Sequence, residues 1–290
     1  MKITMRLMGG LGNQMFQYAA GYTLAQKKNA ALVCDMDYFQ EPKAWPYSLD
    51  LFGITVEEAS PEDKKPRTEP KIGRKAKLLS TVLPQYKNLW YREPHFHVDP
   101  NFFHLQPPVY VDGYWQSEQY FLDQEADIRE IFRFKDPIHA SLEATQAKIQ
   151  DPGRVAVSLH VRRGDYVAVA KNVKYHGTCT PEYYAQAEKW LMEQLPEFTL
   201  FVFSDDIAWA QENLTLQSAA EFVDSSAAPD YEDMRLMSYC DHHIIANSSF
   251  SWWGAWLNGK AGKKVVAPLR WFDEAPHDTK DLVPATWHRL

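Results

Sequence analysis

Cysteine is scarce: Cys34, Cys179 and Cys240 are the only three in 290 residues, far apart and odd in number. That excludes a disulfide scaffold or a zinc ribbon and suits a reducing compartment. Positive charge is also short, with 31 Lys and Arg against 38 Asp and Glu, a formal charge of −7. A protein built to grip a nucleic-acid backbone would carry the opposite sign, so no nucleic-acid partner is expected. No stretch approaches the ~18 consecutive apolar residues of a membrane span. Gly9 and Gly10 break the N-terminal apolar run where a signal peptide would need it, and the expected location is cytoplasmic.

What is abundant is aromatic. The chain holds 10 Trp, 15 Tyr and 15 Phe, enough to fill a core and also to line surfaces that stack on sugar rings. With 45% apolar and 24% charged residues, the rest of the composition is that of a globular protein of one large or two ordinary domains.

Residues 3–8 read as a buried strand, followed by the turn Gly9-Gly10-Leu11-Gly12-Asn13-Gln14. Met15, Tyr18, Ala19 and Tyr22 then recur at helical spacing as far as Lys27 and Lys28, and residues 31–34 form a further strand. Strand, glycine turn, helix, strand is the opening of a parallel α/β unit. A strand is expected at 109–112 and a helix through about residue 132. Between the strands at 31–34 and 109–112, roughly 60–90 reads as a basic insertion carrying Lys64, Lys65, Arg67, Lys71, Arg74, Lys75 and Lys77. With Leu78, Leu79, Val82 and Leu83 it offers either a solvated helix or a weak peripheral contact with an anionic membrane.

Pro137 and Asp151-Pro152-Gly153 punctuate the middle of the chain, placing a boundary between about 135 and 153 and dividing it into domains 1–145 and 146–290. The second half alternates more cleanly. Strands are expected at 155–161, 199–203, 221–224, 243–246 and 264–267. The clearest intervening helix has Thr180 as N-cap, Pro181 in its first turn, and Tyr184, Ala187, Leu191 and Leu195 on one face.

Four segments that could carry chemistry stand where a strand ends, the edge at which parallel sheets bind ligands. The glycine turn is either a tight connection for strand–helix packing or a cradle in which Gly10, Gly12, Asn13 and Gln14 face a phosphate at a helix N-terminus. His160-Val161-Arg162-Arg163-Gly164-Asp165-Tyr166 puts two arginines at one edge, either to grip an anion or to close a loop through Asp165. In Phe203-Ser204-Asp205-Asp206, Asp205 either accepts from a nucleoside or caps the helix after it. In 247–257, NSSFSWWGAWL, the serines form a helix cap or an anion cradle, and the tryptophans form core or a stacking wall.

Asp35-Met36-Asp37 has the spacing of a metal-chelating D-x-D pair, and His95, His97, His242 and His243 are candidate ligands without a recognisable spacing. A metal-dependent nucleotide-sugar transferase using Asp35 and Asp37 is therefore one competing reading. A carbohydrate-binding protein without catalysis is another.

Taken in order, GGLGNQMFQYA at 9–19, DGYWQSEQYF at 112–121, HVRRGDY at 160–166, FSDD at 203–206 and NSSFSWWGAWL at 247–257 resemble the bacterial α-1,2-fucosyltransferase family. The resemblance implies a GT-B-type fold of two Rossmann-like α/β domains with parallel sheets, the first on the acceptor side and the second binding GDP-fucose. It implies an inverting, metal-independent enzyme with no cofactor, moving fucose from GDP-fucose to a galactose-terminated glycan. By the same likeness Arg162 would bind the β-phosphate with Arg163 beside it, and His160 and Asp205 would lie close to the nucleoside. Asn13, Gln14, Ser248, Ser249, Phe250 and Ser251 would complete the cradle. Asp165 would either orient the arginines or serve as base.

Overall fold

The computed structural model describes residues 1–68, 89–164, 177–273 and 277–290. They divide into two compact units, one formed by 1–135 with 280–282 and the other by 136–279 with 283–290.

The first unit is built on four parallel strands, β1 (Lys2–Arg6), β2 (Ala31–Asp35), β3 (Trp90–Arg92) and β4 (Val109–Asp112), in the spatial order β2-β1-β4-β3. Helix α1 (Leu11–Lys28) returns the chain from β1 to β2; shorter helices are α2 (Pro61–Thr68) and α3 (Glu125–Ile131). α1 buries Met15, Phe16, Ala19, Ala20 and Leu24, and ends on Asn29 in the left-handed conformation with Lys27 and Lys28 in its last turn. Cations there suit the negative end of the helix dipole. At Gly21 helix and sheet pack tightly, since a Cβ there would lie 3.0 Å from Leu32 and 3.2 Å from Met5. A second aromatic core forms from Trp115, Phe102 and Tyr120, with ring centroids 4.7–5.4 Å apart.

The second unit holds six parallel strands: β5 (Ala156–Val161), β6 (Thr199–Ser204), β7 (Ala219–Phe222), β8 (His242–Ile244), β9 (Val265–Ala267) and β10 (His288–Arg289). Their order is β10-β9-β8-β5-β6-β7, the Rossmann arrangement in which the first strand is central and the chain reverses direction beside it. All six β5 residues are buried, as both faces of a central parallel strand require. The helices are α4 (Glu143–Ile149), α5 (Pro181–Gln194), α6 (Ile207–Asn213), α7 (Tyr231–Tyr239) and α8 (Ser249–Leu257). Thr180 caps α5 through the Tyr183 N–H, and Tyr184, Ala187 and Leu191 pack on Val157, Leu159, Leu200 and Val202, as the periodicity predicts. Each leucine or valine among them, taken from water, contributes roughly 1.5–3 kcal/mol.

Trp252, Trp253 and Trp256 are buried against one another, so those tryptophans are core and not a stacking wall. The sequence reading does not anticipate β3 and β10. They have three and two residues, too few for a period to show.

Candidate active site

In the second unit the chain reverses between β5 and β8, and ligands of open α/β sheets bind in the crevice outside the carboxyl ends of such strands. Arg162 and Arg163 leave the end of β5. Arg162 Nη1 lies 2.9 Å from Asp205 Oδ2. The Arg163 N–H donates to Asp205 Oδ1 at 2.8 Å, so a single carboxylate, placed by the end of β6, fixes both the first guanidinium and the turn. A Cβ at Gly164 would stand 2.5 Å from Asp205 Oδ2, which explains the glycine there. The Arg163 side chain runs the other way, its Nε 3.2 Å from Asp206 and its guanidinium 3.9 Å above the Trp209 ring. The two adjacent arginines thus have different duties. Arg163 clamps β5 to α6, while Arg162 is held at the edge.

The cap of α6 is Asp206, whose Oδ1 accepts from the Trp209 N–H at 3.2 Å. This corrects the expectation that Asp205, if not a nucleoside contact, would cap that helix. Asp165 and Tyr166 lie outside the described residues.

Across the reversal, β8 leads to Ser248 and the N-terminus of α8. Ser248 makes no side-chain cap, and the first-turn N–H groups of Ser249, Phe250 and Ser251 have no place in the helix's own ladder, leaving a concentrated donor set for an anion. Ser251 Oγ is turned inward and accepts the Ala246 N–H at 3.0 Å. Asn247 is buried and donates to the Trp271 carbonyl at 3.1 Å. The His160 ring lies 5.7 Å from Phe250; its Nδ1 is buried without a hydrogen-bond partner, and burial pushes its pKa down to about 4, so it is neutral at pH 7.

The sequence reading misses Asp233, in the first turn of α7. Burial pushes its carboxyl up to about 7, against the pull of Ser225 and with help from Asp230, Asp205 and Glu232, and its Oδ1 is buried without a partner. An acid in a helix's first turn is ordinary, and nothing in sequence separates this one from Glu232.

The opposite, amino-terminal edge of this sheet carries a cleft of about 470 Å³ whose cations are already committed. Lys260 pairs with Asp241 at 2.6 Å, Arg154 pairs with Glu221 at 2.9 Å, and Lys263 donates to the Ala255 and Asn258 carbonyls. These cations are paired as Arg162 is, but no helix N-terminus is among the residues that line this cleft, and in that it differs from the carboxyl edge.

In the first unit the edge has another character. Gly9 takes φ +79, and a Cβ there would meet Asn13 Nδ2 at 2.6 Å, so this glycine serves the tight turn. Gly10 is the N-cap of α1, and Gly12 is buried within the helix. Gln14 is fully buried. Its amide nitrogen donates to the Gly9 and Pro46 carbonyls and its oxygen accepts from the Ser48 N–H, so it shapes the loop beside the turn. Asn13 Oδ1 accepts from Gln116 Nε2 at 2.6 Å, joining the end of β1 to the end of β4.

The D-x-D pair is occupied. Asp35 is buried and accepts from the Tyr110 hydroxyl at 2.5 Å, while Lys64 Nζ lies 2.7 Å from Asp37 and 3.7 Å from Asp35. Lys64 is the cation of that acidic cluster. Lys65 pairs with Glu62, and the basic positions 71–77 lie outside the described residues. His95 and His97 stack on each other. His243 bonds Ser158 and Asn258, and His242 Nδ1 accepts the Lys264 N–H. Among the described residues no group of three His, Cys, Asp or Glu could hold a metal, and no helix is long and apolar enough to cross a membrane.

The chain matches the Glycosyl transferase family 11 description over residues 77–289. It is 33% identical to an alpha-1,2-colitosyltransferase of Escherichia coli across 99% of this chain and 98% of that one. It is 27% identical to the galactoside alpha-(1,2)-fucosyltransferase 1 of Homo sapiens, covering 87% of this chain and 64% of that one. Among solved structures it resembles a mutant of Arabidopsis thaliana FUT1 in complex with GDP, with a TM-score of 0.52 at 11% identity over 92% of this chain and 69% of that one, a likeness of fold. A family match over most of the chain, an end-to-end bacterial relative and two Rossmann-like units of GT-B type lead to one assignment: the chain belongs to glycosyl transferase family 11, the fucosyltransferase family.

Proposed function

We propose that the chain is an inverting α-1,2-fucosyltransferase that moves L-fucose from GDP-β-L-fucose to the 2-hydroxyl of a terminal galactose. The acceptor oxygen forms a bond to C1 of fucose as the bond from C1 to the β-phosphate oxygen breaks. GDP leaves, and the hydroxyl proton passes to a base, for which Asp165 or a carboxylate of the first unit is a candidate. Charge grows on the β-phosphate as that bond breaks. Arg162 suits this role because a guanidinium is always charged and grips two oxygens in a fixed fork.

The observation that carries the reading is the Arg162–Asp205 pair at the end of β5, on the edge where β8 delivers the open N-terminus of α8. A fixed cation and a fan of N–H groups at one switch point are what a diphosphate needs, without a metal to bridge it. The N–H groups of Ser249, Phe250 and Ser251 form that fan, while the Ser248 N–H is already given to the Ala246 carbonyl. His160, kept neutral, and Asp233, with an unmet acceptor, suit the nucleoside end; Asp205 acts through Arg162.

A bacterial relative that transfers colitose favours a second donor, GDP-colitose, on the same site. The test begins with melting temperature in EDTA. At about 100 times its Kd a ligand adds about 2.7 kcal/mol, and GDP, but not UDP or CMP, is expected to produce the shift. Rates with GDP-fucose and GDP-colitose on a β-galactoside, with the linkage read by NMR, then separate the donors. No shift with GDP in EDTA, and a shift once Mn²⁺ is added, would overturn the metal-free reading.

A further inference from the structure

Seven large hydrophobic side chains are prominently exposed among the described residues, and two of them are aromatic: Trp45 at 44% and Tyr114 at 39%. Both belong to the carboxyl edge of the first unit's sheet. The Trp45 ring lies across Gly10, the residue that caps α1 after β1, at 3.6 Å from where a Cβ would project. Tyr114 stands in the turn after β4, the strand next to β1.

Neither ring's position is left to a loose loop. Gln14 holds the segment that follows Trp45 through the Pro46 carbonyl and the Ser48 N–H. Glu93, just beyond β3, accepts the N–H groups of Tyr114 at 2.7 Å and Trp115 at 3.1 Å. Trp115 takes a left-handed φ of +55 and is buried, so it anchors the turn inward while its neighbour Tyr114 is exposed. A non-glycine residue in that conformation persists only where its surroundings hold it there.

Asn13 stands in the first turn of α1, three residues after Gly10, and Gln116 two residues after Tyr114; the two side chains spend one amide oxygen and one amide nitrogen on their mutual bond. Asn13 Nδ2 and Gln116 Oε1 make no other hydrogen bond among the described residues, leaving one neutral donor and one neutral acceptor. The charge beside them is already matched, since Arg6 at the end of β1 pairs with Asp112 at the end of β4 at 3.2 Å. Two fixed aromatic faces and spare amide groups, beside an ion pair already closed on itself, suit a neutral polyol. The rings cover the apolar C–H face of a pyranose and the amides meet its hydroxyls.

We propose that Trp45 and Tyr114 form the platform that binds the acceptor sugar, a neutral β-galactoside, with Asn13 and Gln116 meeting its hydroxyls and Glu93 holding the turn in place. The inference rests on the transferase reading and adds to it the residues that receive the acceptor.

The test is initial-rate kinetics with lactose as acceptor for the wild type, Trp45→Ala, Trp45→Phe, Tyr114→Ala and Tyr114→Phe, together with calorimetry of GDP. Each Ala variant is expected to raise the KM for lactose about 10-fold and each Phe variant to recover most of it, while the Kd for GDP stays within about twofold. A lactose KM within about twofold of wild type in the folded Ala variants would overturn the platform. So would a change confined to the GDP affinity. If the wild type binds no GDP and transfers no sugar, the transferase reading fails by itself. The platform is then judged by saturation-transfer NMR of methyl β-galactoside on the wild type, where transfer from indole and phenol protons supports it and its absence refutes it. The same measurement decides the matter if an Ala variant does not fold.

Discussion

The carboxyl edges of the two sheets are made of different chemistry. In the second unit the edge concentrates charge, with Arg162 and Arg163 answered by Asp205 and Asp206 and an open helix N-terminus beyond β8. In the first unit it concentrates amides and rings, Asn13, Gln14, Gln116, Trp45 and Tyr114, above an ion pair that leaves no net charge. One scaffold rule, ligands at the ends of parallel strands, is thus met by two chemistries, suited to the anion that we propose for one unit and to the neutral sugar that we propose for the other. The loops after the strands decide which.

The largest expected effect sharpens the division of labour within the charged edge. Arg162→Ala, and Arg162→Lys with it, should lower turnover by about 100-fold or more while the protein stays folded, because the fork that meets developing phosphate charge is lost. Arg163→Ala should act first on stability, since its guanidinium serves Asp206 and Trp209. We expect a loss of about 1 kcal/mol in denaturant unfolding. Equal losses of turnover in two folded variants would erase the distinction between the arginines.

Next in size is Gly113→Ala in the neutral edge. A Cβ there would stand 2.4 Å from the Glu93 Cβ and 2.9 Å from the Trp115 ring, so the turn must shift. A destabilisation of about 1–3 kcal/mol is expected in urea unfolding, with a weaker affinity for lactose. Unchanged stability would mean that the turn is looser than its contacts imply.

The smallest effect concerns pH. Burial raises the Glu93 carboxyl from its ordinary 4.5 to about 7, despite two N–H donors. The fold therefore favours its protonated form, and that contribution is fully present below about pH 4.5 and lost as pH rises through about 7. His160 works in the opposite sense, from 6.5 down to about 4, its contribution present above pH 6.5 and lost as pH falls through about 4. Glu93→Gln should therefore flatten the fall of melting temperature between pH 5 and 7 without touching the acid limb. An unchanged slope in that variant would show that Glu93 carries no part of it.

Much of this was legible from residues. The glycine turn, the HVRRGDY segment and the serine-rich start of α8 each stand at a strand end, as local patterns predict, and Thr180 with Pro181 marks the start of α5. Other assignments needed the fold. Asp205 and Asp206 are adjacent and alike in sequence, yet one pairs with Arg162 and the other caps α6, because a strand end sends successive side chains different ways. Asp35 and Asp37 have the spacing of a metal pair, but Lys64, from a helix further along the chain, places its ammonium against both. Glu93 and Asp233 bear no local mark at all, and Gln116 is marked only as part of the DGYWQSEQYF segment.

The sequence by itself determined the α/β alternation, the fan of helix-start donors and the family, since all three depend on order and short-range spacing. The tertiary structure decided which arginine faces the edge, which acids burial pushes up to about 7 and which aromatic rings stay exposed. Those properties belong to burial and to partners dozens of residues away. A carboxyl or a ring becomes functional through its surroundings, and only the closed sheet and its loops bring those surroundings together.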